Sequence, residues 1–260
     1  MIYYLRIFPL KEFIRMELEK VDILGIPFVN TTKTGFVEKL DNHLTRQDKV
    51  FVVTANPEIV MKAIEEDSYK KVIDQATYIT ADGIGVVKAA QLLNYPLPER
   101  VTGYDTMMEL LELAERKQYS IYLLGGQEET LQKAVTNIHT NFPNINIVGH
   151  HNGYFDWNQT HIQEEIKATN PDLVFVALGV PRQENWIAEN LPHFQKGVFM
   201  GVGGSFDVIA GTVERAPVAW QKANLEWLYR LLKQPSRWKR MLALPRFGLK
   251  ILKVKVTGKI

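Results

Sequence analysis

Along the middle of the chain, short apolar runs alternate with longer stretches whose apolar positions recur every three or four residues. The runs at 50–54, 77–80, 120–124, 144–148, 173–178 and 198–202 read as strands. The stretches at 57–74, 84–93, 106–117, 128–141, 158–168 and 182–189 read as helices. The run LVFVAL at 173–178 holds no polar residue, as a strand buried on both faces requires. This alternation predicts an α/β fold: a mostly parallel, Rossmann-like sheet flanked by helices. Right-handed crossovers would bring the carboxyl ends of the strands to one edge, where such folds bind ligands.

The pattern changes after about Gly211. From Ala216 onward it is helical throughout and carries Trp220, Trp227 and Trp238. Pro235 and Pro245 are expected to break this stretch into pieces. Three regions follow: an N-terminal extension over 1–20, an α/β core over 21–212 and a basic helical appendage over 213–260.

Charge sharpens that division. The chain of 260 residues has a formal net charge of only +2. Residues 222–260 nevertheless hold 11 Lys and Arg against a single acid, Glu226. A basic end on an acidic body points to an anionic partner: a phosphorylated ligand, an anionic lipid surface or nucleic acid. No nucleic-acid-binding motif accompanies the charge, so nucleic acid is not expected. Hydrophobic residues at 46% and charged residues at 23% exclude a disordered chain. The absence of Cys excludes thiolate metal sites, thiol nucleophiles and disulfides.

Two segments bear on membranes. The longest stretch without Asp, Glu, Lys or Arg, 134–155, holds five Asn and three His and does not suit hydrocarbon. At the N-terminus Arg6, Lys11, Glu12 and Arg15 interrupt any leader-like apolar run. In the appendage, Arg230, Lys233, Arg237 and Arg240 would share an arc of roughly 80° on an unbroken helix. Trp and Leu residues fall between them, which fits a helix lying in an anionic membrane interface. A solvated basic face packed through its Leu and Trp fits equally.

Five polar motifs follow strand runs. They are Thr54-Ala55-Asn56-Pro57, Thr80-Ala81-Asp82-Gly83, Gly125-Gly126, Gly179-Val180-Pro181-Arg182-Gln183-Glu184 and Gly201 to Asp207. Together they describe the mouth of a site on one sheet edge. Asp82 stands out as an isolated acid at a strand end. It is either the cap of the helix starting near Ile84 or, with a pKa raised by burial, a base toward an attacking hydroxyl. Thr54 and Asn56 can hydrogen-bond a sugar or a base, or simply start a helix with Pro57 at its first position. Gly125 and Gly126 offer a phosphate seat at a helix start, or a turn. Gly203-Gly204 likewise suits a tight turn with positive φ. The glycines match neither a dinucleotide fingerprint nor a P-loop, which disfavours a dehydrogenase.

The six histidines show no zinc spacing, and no two Asp lie two residues apart. A diphosphate handled here would therefore be met by Arg or Lys, and neither a metal nor a cofactor is expected.

Seven motifs in order now carry a resemblance. Thr54-Ala-Asn-Pro-Glu, Thr80-Ala-Asp-Gly-Ile-Gly, Arg100-Val-Thr-Gly-Tyr-Asp, Leu124-Gly-Gly, Asn152-Gly-Tyr-Phe, Leu178-Gly-Val-Pro-Arg-Gln-Glu and Gly201-Val-Gly-Gly-Ser-Phe-Asp are similar to the WecG/TagA/CpsF family of bacterial glycosyltransferases. The likeness runs from about Val21 to Arg240. It implies an inverting, metal-independent transferase acting from a UDP-sugar donor. The implied acceptor is an undecaprenyl-diphosphate-linked GlcNAc at the inner face of the plasma membrane. Close Gram-positive members transfer N-acetylmannosamine and make the linkage unit of wall teichoic acid; others use N-acetylmannosaminuronic acid or glucose. The resemblance makes Asp82 the base and puts Thr54, Asn56, Arg100 and Gln183 in the pocket. It puts Arg230, Arg237 and Arg240 near the diphosphate. A competing expectation is a non-catalytic UDP-sugar-binding regulator docked on the membrane through the tail. Off the membrane, an exposed apolar tail would favour self-association into a homo-oligomer.

Overall fold

The computed structural model describes residues 18–157 and 160–258. Residues 1–17 of the expected extension, 158–159 of the helix expected over 158–168, and 259–260 of the tail lie outside the described residues.

The described chain opens with a hairpin of β1 (Lys20–Ile23) and β2 (Ile26–Val29), then α1 (Lys33–Arg46). Neither was expected from the pattern. The hairpin turns on Leu24 and Gly25, both at positive φ, and Gly25 N–H donates to Asp22 Oδ1 at 2.9 Å. A leucine at positive φ is uncommon, so this turn carries little sequence signal.

The alternating elements follow: β3 (Lys49–Ala55), α2 (Pro57–Glu65), α3 (Asp67–Ile73), β4 (Tyr78–Ala81), α4 (Ile84–Leu92), α5 (Gly103–Lys117), β5 (Ser120–Gly125) and α6 (Glu128–Asn141). Then come β6 (Asn146–His151), α7 (His161–Thr169), β7 (Leu173–Ala177), α8 (Arg182–Asn190), β8 (Gly197–Gly201) and the short α9 (Ser205–Ile209). The single helix expected over 57–74 is two, because Glu66 is extended (φ −127°, ψ 100°). α5 starts earlier than expected, where Thr102 caps it by accepting from Asp105 N–H.

Strands β3 to β8 form one parallel sheet in the order β4-β3-β8-β7-β5-β6. All six strands expected from the sequence are in it. β3, β7 and β8 are walled by apolar clusters on both faces, which is why their sequences are near-continuous Val, Phe and Leu. α2, α3, α4, α7 and α8 pack on one face. α1, α5, α6 and α9 pack on the other.

This distribution decides where ligands can go. The neighbours β3 and β8 send their following helices, α2 and α9, to opposite faces. The neighbours β5 and β7 do the same with α6 and α8. The pairs β8–β7 and β5–β6 diverge too, since α9 and α6 lie on one face and α8 and α7 on the other. Of the crevices that such divergences open beyond the strands' carboxyl ends, two are lined as clefts, one at β3–β8 and one at β5–β7.

The appendage comprises α10 (Val218–Lys222), α11 (Glu226–Lys233), a 3₁₀ turn at Pro235–Arg237, α12 (Trp238–Met241) and α13 (Ala243–Thr257). Pro235 breaks it as expected. Pro245 does not: it lies in the first turn of α13, where a missing N–H costs no helical hydrogen bond. α13 buries Ala243, Phe247 and Ile251 on the α2–α4 face. Burying Phe247 and Ile251 contributes about 1.5–3 kcal/mol each. Among the described residues, no helix is long and apolar enough to cross a membrane.

Candidate active site

The β3–β8 crevice is the floor of a cleft whose roof is the appendage. Thr54, Asn56, Asp82, Arg100, Gln183, Arg230, Arg237 and Arg240 all line it. Eight of the ten residues singled out from the sequence are thus brought together, across elements up to 186 positions apart.

Asp82 follows β4 directly. Its N–H donates to Ala55 O at 3.0 Å, extending the sheet's pairing by one residue. The carboxylate does not cap α4, whose cap residue Gly83 makes no side-chain bond. Instead Oδ2 accepts from Gly103 N–H at 3.2 Å, at the start of α5. Burial pushes the Asp82 pKa up to about 7, against the pull of that N–H and of the Arg230 and Arg100 charges. A carboxyl poised there can take a proton from a hydroxyl at neutral pH.

Three neighbours are partly committed to the scaffold. Thr54 Oγ1 donates to Gly201 O at 3.1 Å and ties β3 to β8. Asn56 caps α2, its Oδ1 accepting from Ile59 N–H at 3.1 Å. Its amide nitrogen has no partner among the described residues and is free to face a ligand. Gln183 is buried, and both ends of its amide are used. Its Nε2 donates to Glu184 Oε1 at 2.7 Å, and Gly203 N–H donates to its Oε1 at 3.0 Å. It braces the turn after β8, where Gly203 sits at φ 52°.

Gly125 and Gly126 stand apart. Gly126 lines the second crevice, between β5 and β7, with Arg182 and Asp207. The Gly126 N–H expected to seat a phosphate already donates to Ala177 O at 3.1 Å. The first turn of α6 carries Glu128 and Glu129, which disfavours an anion there. The glycines serve close approach instead. Gly125 has φ 123°, and a Cβ on it would overlap the Ala177 carbonyl.

The cations of the cleft are mostly paired. Arg100 Nη1 and Nη2 both donate to Glu226 Oε2 at 3.2 Å, and Arg230 Nη2 donates to Glu226 Oε1 at 2.8 Å. Arg240 Nε donates to Glu58 Oε1 at 2.8 Å. Arg237 differs. It is half-buried in the cleft and, among the described residues, its guanidinium has neither hydrogen bond nor ion pair. Burial, with Arg240 and Arg230 beside it, holds its pKa below the usual guanidinium value. An unpaired cation in that setting is a site for an anion. Lys233, expected on the same arc, turns away to pair with Glu214 at 3.2 Å.

One residue escaped the sequence reading. Arg215 lines the cleft, pairs with Asp105 at 2.7 Å and lies over the Tyr104 ring at 4.7 Å. Its Nε is buried without a partner. Nothing in the local sequence around Arg215 marks it, because its partners sit on α5. Among the described residues, no three His, Asp or Glu converge as a metal site would need.

A parallel α/β sheet with a buried carboxyl group on its ligand edge and an arginine-rich roof has the chemistry to receive an anionic ligand. The sequence places it more closely. The chain belongs to the Glycosyl transferase WecG/TagA/CpsF family, whose model matches residues 21–260. The match starts where the core was expected to start and runs beyond Arg240 through α13. A relative from Bacillus subtilis (strain 168) is 43% identical over 232 residues, 89% of this chain and 90% of its own length. One from Staphylococcus aureus (strain MW2) is 42% identical over 243 residues, 93% of this chain and 95% of its own. Both are named N-acetylglucosaminyldiphosphoundecaprenol N-acetyl-beta-D-mannosaminyltransferase. The chain is accordingly a glycosyltransferase.

Proposed function

We propose that this enzyme moves N-acetylmannosamine from UDP-N-acetylmannosamine to undecaprenyl-diphospho-GlcNAc, forming the linkage unit of wall teichoic acid. The names of its relatives support that donor and acceptor. The observation that carries the chemistry is Asp82, raised to about 7 on the floor of an arginine-lined cleft.

In this reading Asp82 takes the proton of the acceptor's 4-hydroxyl. That oxygen attacks the anomeric carbon from the face opposite UDP, the bond to the β-phosphate oxygen breaks, and the configuration inverts. The charge arriving on UDP is met by Arg237, which has no internal partner, and by Arg230 and Arg240 beside it. These arginines do the work for which other transferases recruit a divalent cation. Arg100 and the Asn56 amide hold the sugars. The second crevice, with Gly126 on its wall, is left to the uncharged uridine end of the donor, since the acidic first turn of α6 disfavours a phosphate there. The appendage lies on the inner face of the plasma membrane, so that a lipid-borne acceptor enters under the roof.

The test is UDP release with a short-chain lipid-diphospho-GlcNAc acceptor, UDP-N-acetylmannosamine and EDTA. Release should need both substrates, and Asp82→Asn should lower it about 10²–10⁴-fold. Near-normal release by a folded Asp82→Asn protein ends the assignment of the base. Release only with another UDP-sugar, such as the uronic acid or glucose donor, replaces the donor. Tight UDP-sugar binding with no release from any donor favours a non-catalytic regulator. Loss of release with EDTA removes the metal-independent reading.

A further inference from the structure

The appendage carries 11 basic residues and one acid from residue 222 onward, and that acid is buried. Glu226 is the first residue of α11, where a carboxylate is favoured by the helix dipole. It also lines the cleft. Its two oxygens are divided between two arginines from different parts of the fold. Oε2 accepts both Nη atoms of Arg100, from the loop before α5. Oε1 accepts from Arg230, one turn along α11. Arg100 and Glu226 are well shielded, at 21% and 10% side-chain exposure, so this pairing is screened little by solvent. One carboxylate on two guanidinium groups leaves one positive charge in excess. Two like charges also stay side by side that would otherwise repel.

We propose that Glu226 is a positioning residue: its carboxylate ties Arg100 of the core to Arg230 of the appendage and fixes both guanidinium groups beside Asp82. The inference rests on the transferase reading for its kinetic consequences, but not for its geometry. Glu226 acts in two opposite directions. It holds the arginines where a substrate's oxygens meet them, and it removes part of their positive charge from the cleft. The charges acting most on Asp82 are Arg230 and Arg100, which lower its pKa, and Glu226, which raises it. Arg215, Arg237, Arg240 and Glu58 complete the charged wall. Neutralising Glu226 therefore makes the cleft more attractive to a diphosphate and Asp82 a weaker base. A merely structural contact, when lost, would weaken binding and turnover together.

The experiment uses the full chain with Glu226→Gln and Glu226→Asp. UDP and inorganic diphosphate are titrated by calorimetry, and UDP release is followed against pH. Glu226→Gln should bind UDP about three- to tenfold more tightly. Its kcat should fall about tenfold, and the acid limb of its pH profile should move down by about half a pH unit. Glu226→Asp keeps the charge, so its UDP affinity and acid limb should stay near the wild type while its shorter reach lowers kcat. If Glu226→Gln does not fold, Glu226→Asp decides: a fall in kcat with affinity held supports the proposal, and a joint loss of affinity and turnover overturns it. In Glu226→Gln, weaker binding of both anions, or an acid limb that stays in place, overturns the proposal. If the wild type releases UDP from none of the donors, the transferase reading fails. The two titrations still decide the role of Glu226.

Discussion

At the scale of single residues, the site is a contest between burial and charge, and Asp82 is where it is fought. Burial raises its pKa to about 7 although two arginines and an amide pull the other way. A carboxyl whose folded pKa exceeds its unfolded value contributes stability fully below about pH 4 and loses it as the pH rises through about 7. Above pH 7 the charged form is thus a cost of function. Asp82→Asn should raise the melting temperature at pH 8 and raise it less at pH 5, as thermal unfolding at the two pH values would read. An equal gain at both would mean that the carboxylate is not held in its charged form against burial. In the wild type, turnover should climb along an acid limb centred near pH 7. Asp82 was legible in the sequence as a lone acid at a strand end, though the helix it meets is α5 rather than α4. Gln183 was legible as a polar residue at the edge, but not as a brace whose amide is spent on Glu184 and Gly203. Which way a side chain turns depends on neighbours distant in sequence.

At the scale of elements, the appendage divides its work between fastening and function. α13 fastens: Phe247 and Ile251 sit in the same apolar cluster as α2 and α4. The turn at Pro235–Arg237 serves the cleft, delivering Arg237 without a partner. The two roles predict opposite phenotypes. Arg237→Gln breaks no ion pair, so the melting temperature should hold while UDP affinity falls about tenfold or more. Phe247→Ala opens a cavity and should cost about 3–4 kcal/mol of the helix's docking, lowering the melting temperature and activity together. A fall in melting temperature for Arg237→Gln as large as that for Phe247→Ala would refute the division. β3, β7 and β8 were readable because a strand walled on both faces has no choice but an apolar run, whereas the edge strand β6, with no residue buried, was read two residues early. The hairpin was not, since Leu24 takes a turn position that glycine or asparagine would advertise. The break in the tail at Pro235 was readable from proline geometry. The convergence of Arg230, Arg237 and Arg240 through that break was not, because no single helical wheel contains it.

At the scale of the molecule, the roof of the cleft is also the outer surface of the appendage, and its chemistry is two-sided. Inward it presents Arg230, Arg237 and Arg240 to the cleft. Outward it leaves Leu232, Trp238, Leu242, Leu249 and Leu252 exposed, with Val256 at 85%. Lys239, Lys253 and Lys255 are exposed among them. Large apolar side chains left in water beside lysines are costly unless an anionic, partly apolar surface covers them. On this reading the enzyme should sediment with vesicles containing anionic phospholipid and far less with zwitterionic ones. Raising salt from about 0.1 M to about 0.5 M should weaken the association, because the Debye length shrinks by about half. It should not abolish it, because the leucines do not sense salt. Leu249→Glu with Leu252→Glu should cut vesicle binding more than tenfold. Both positions face away from Phe247 and Ile251, so the melting temperature should stay within a few degrees. Turnover on a water-soluble acceptor analogue should survive in that variant while turnover on vesicle-borne acceptor falls. Equal losses on both would place these leucines in the folding of the roof rather than in its contact with lipid.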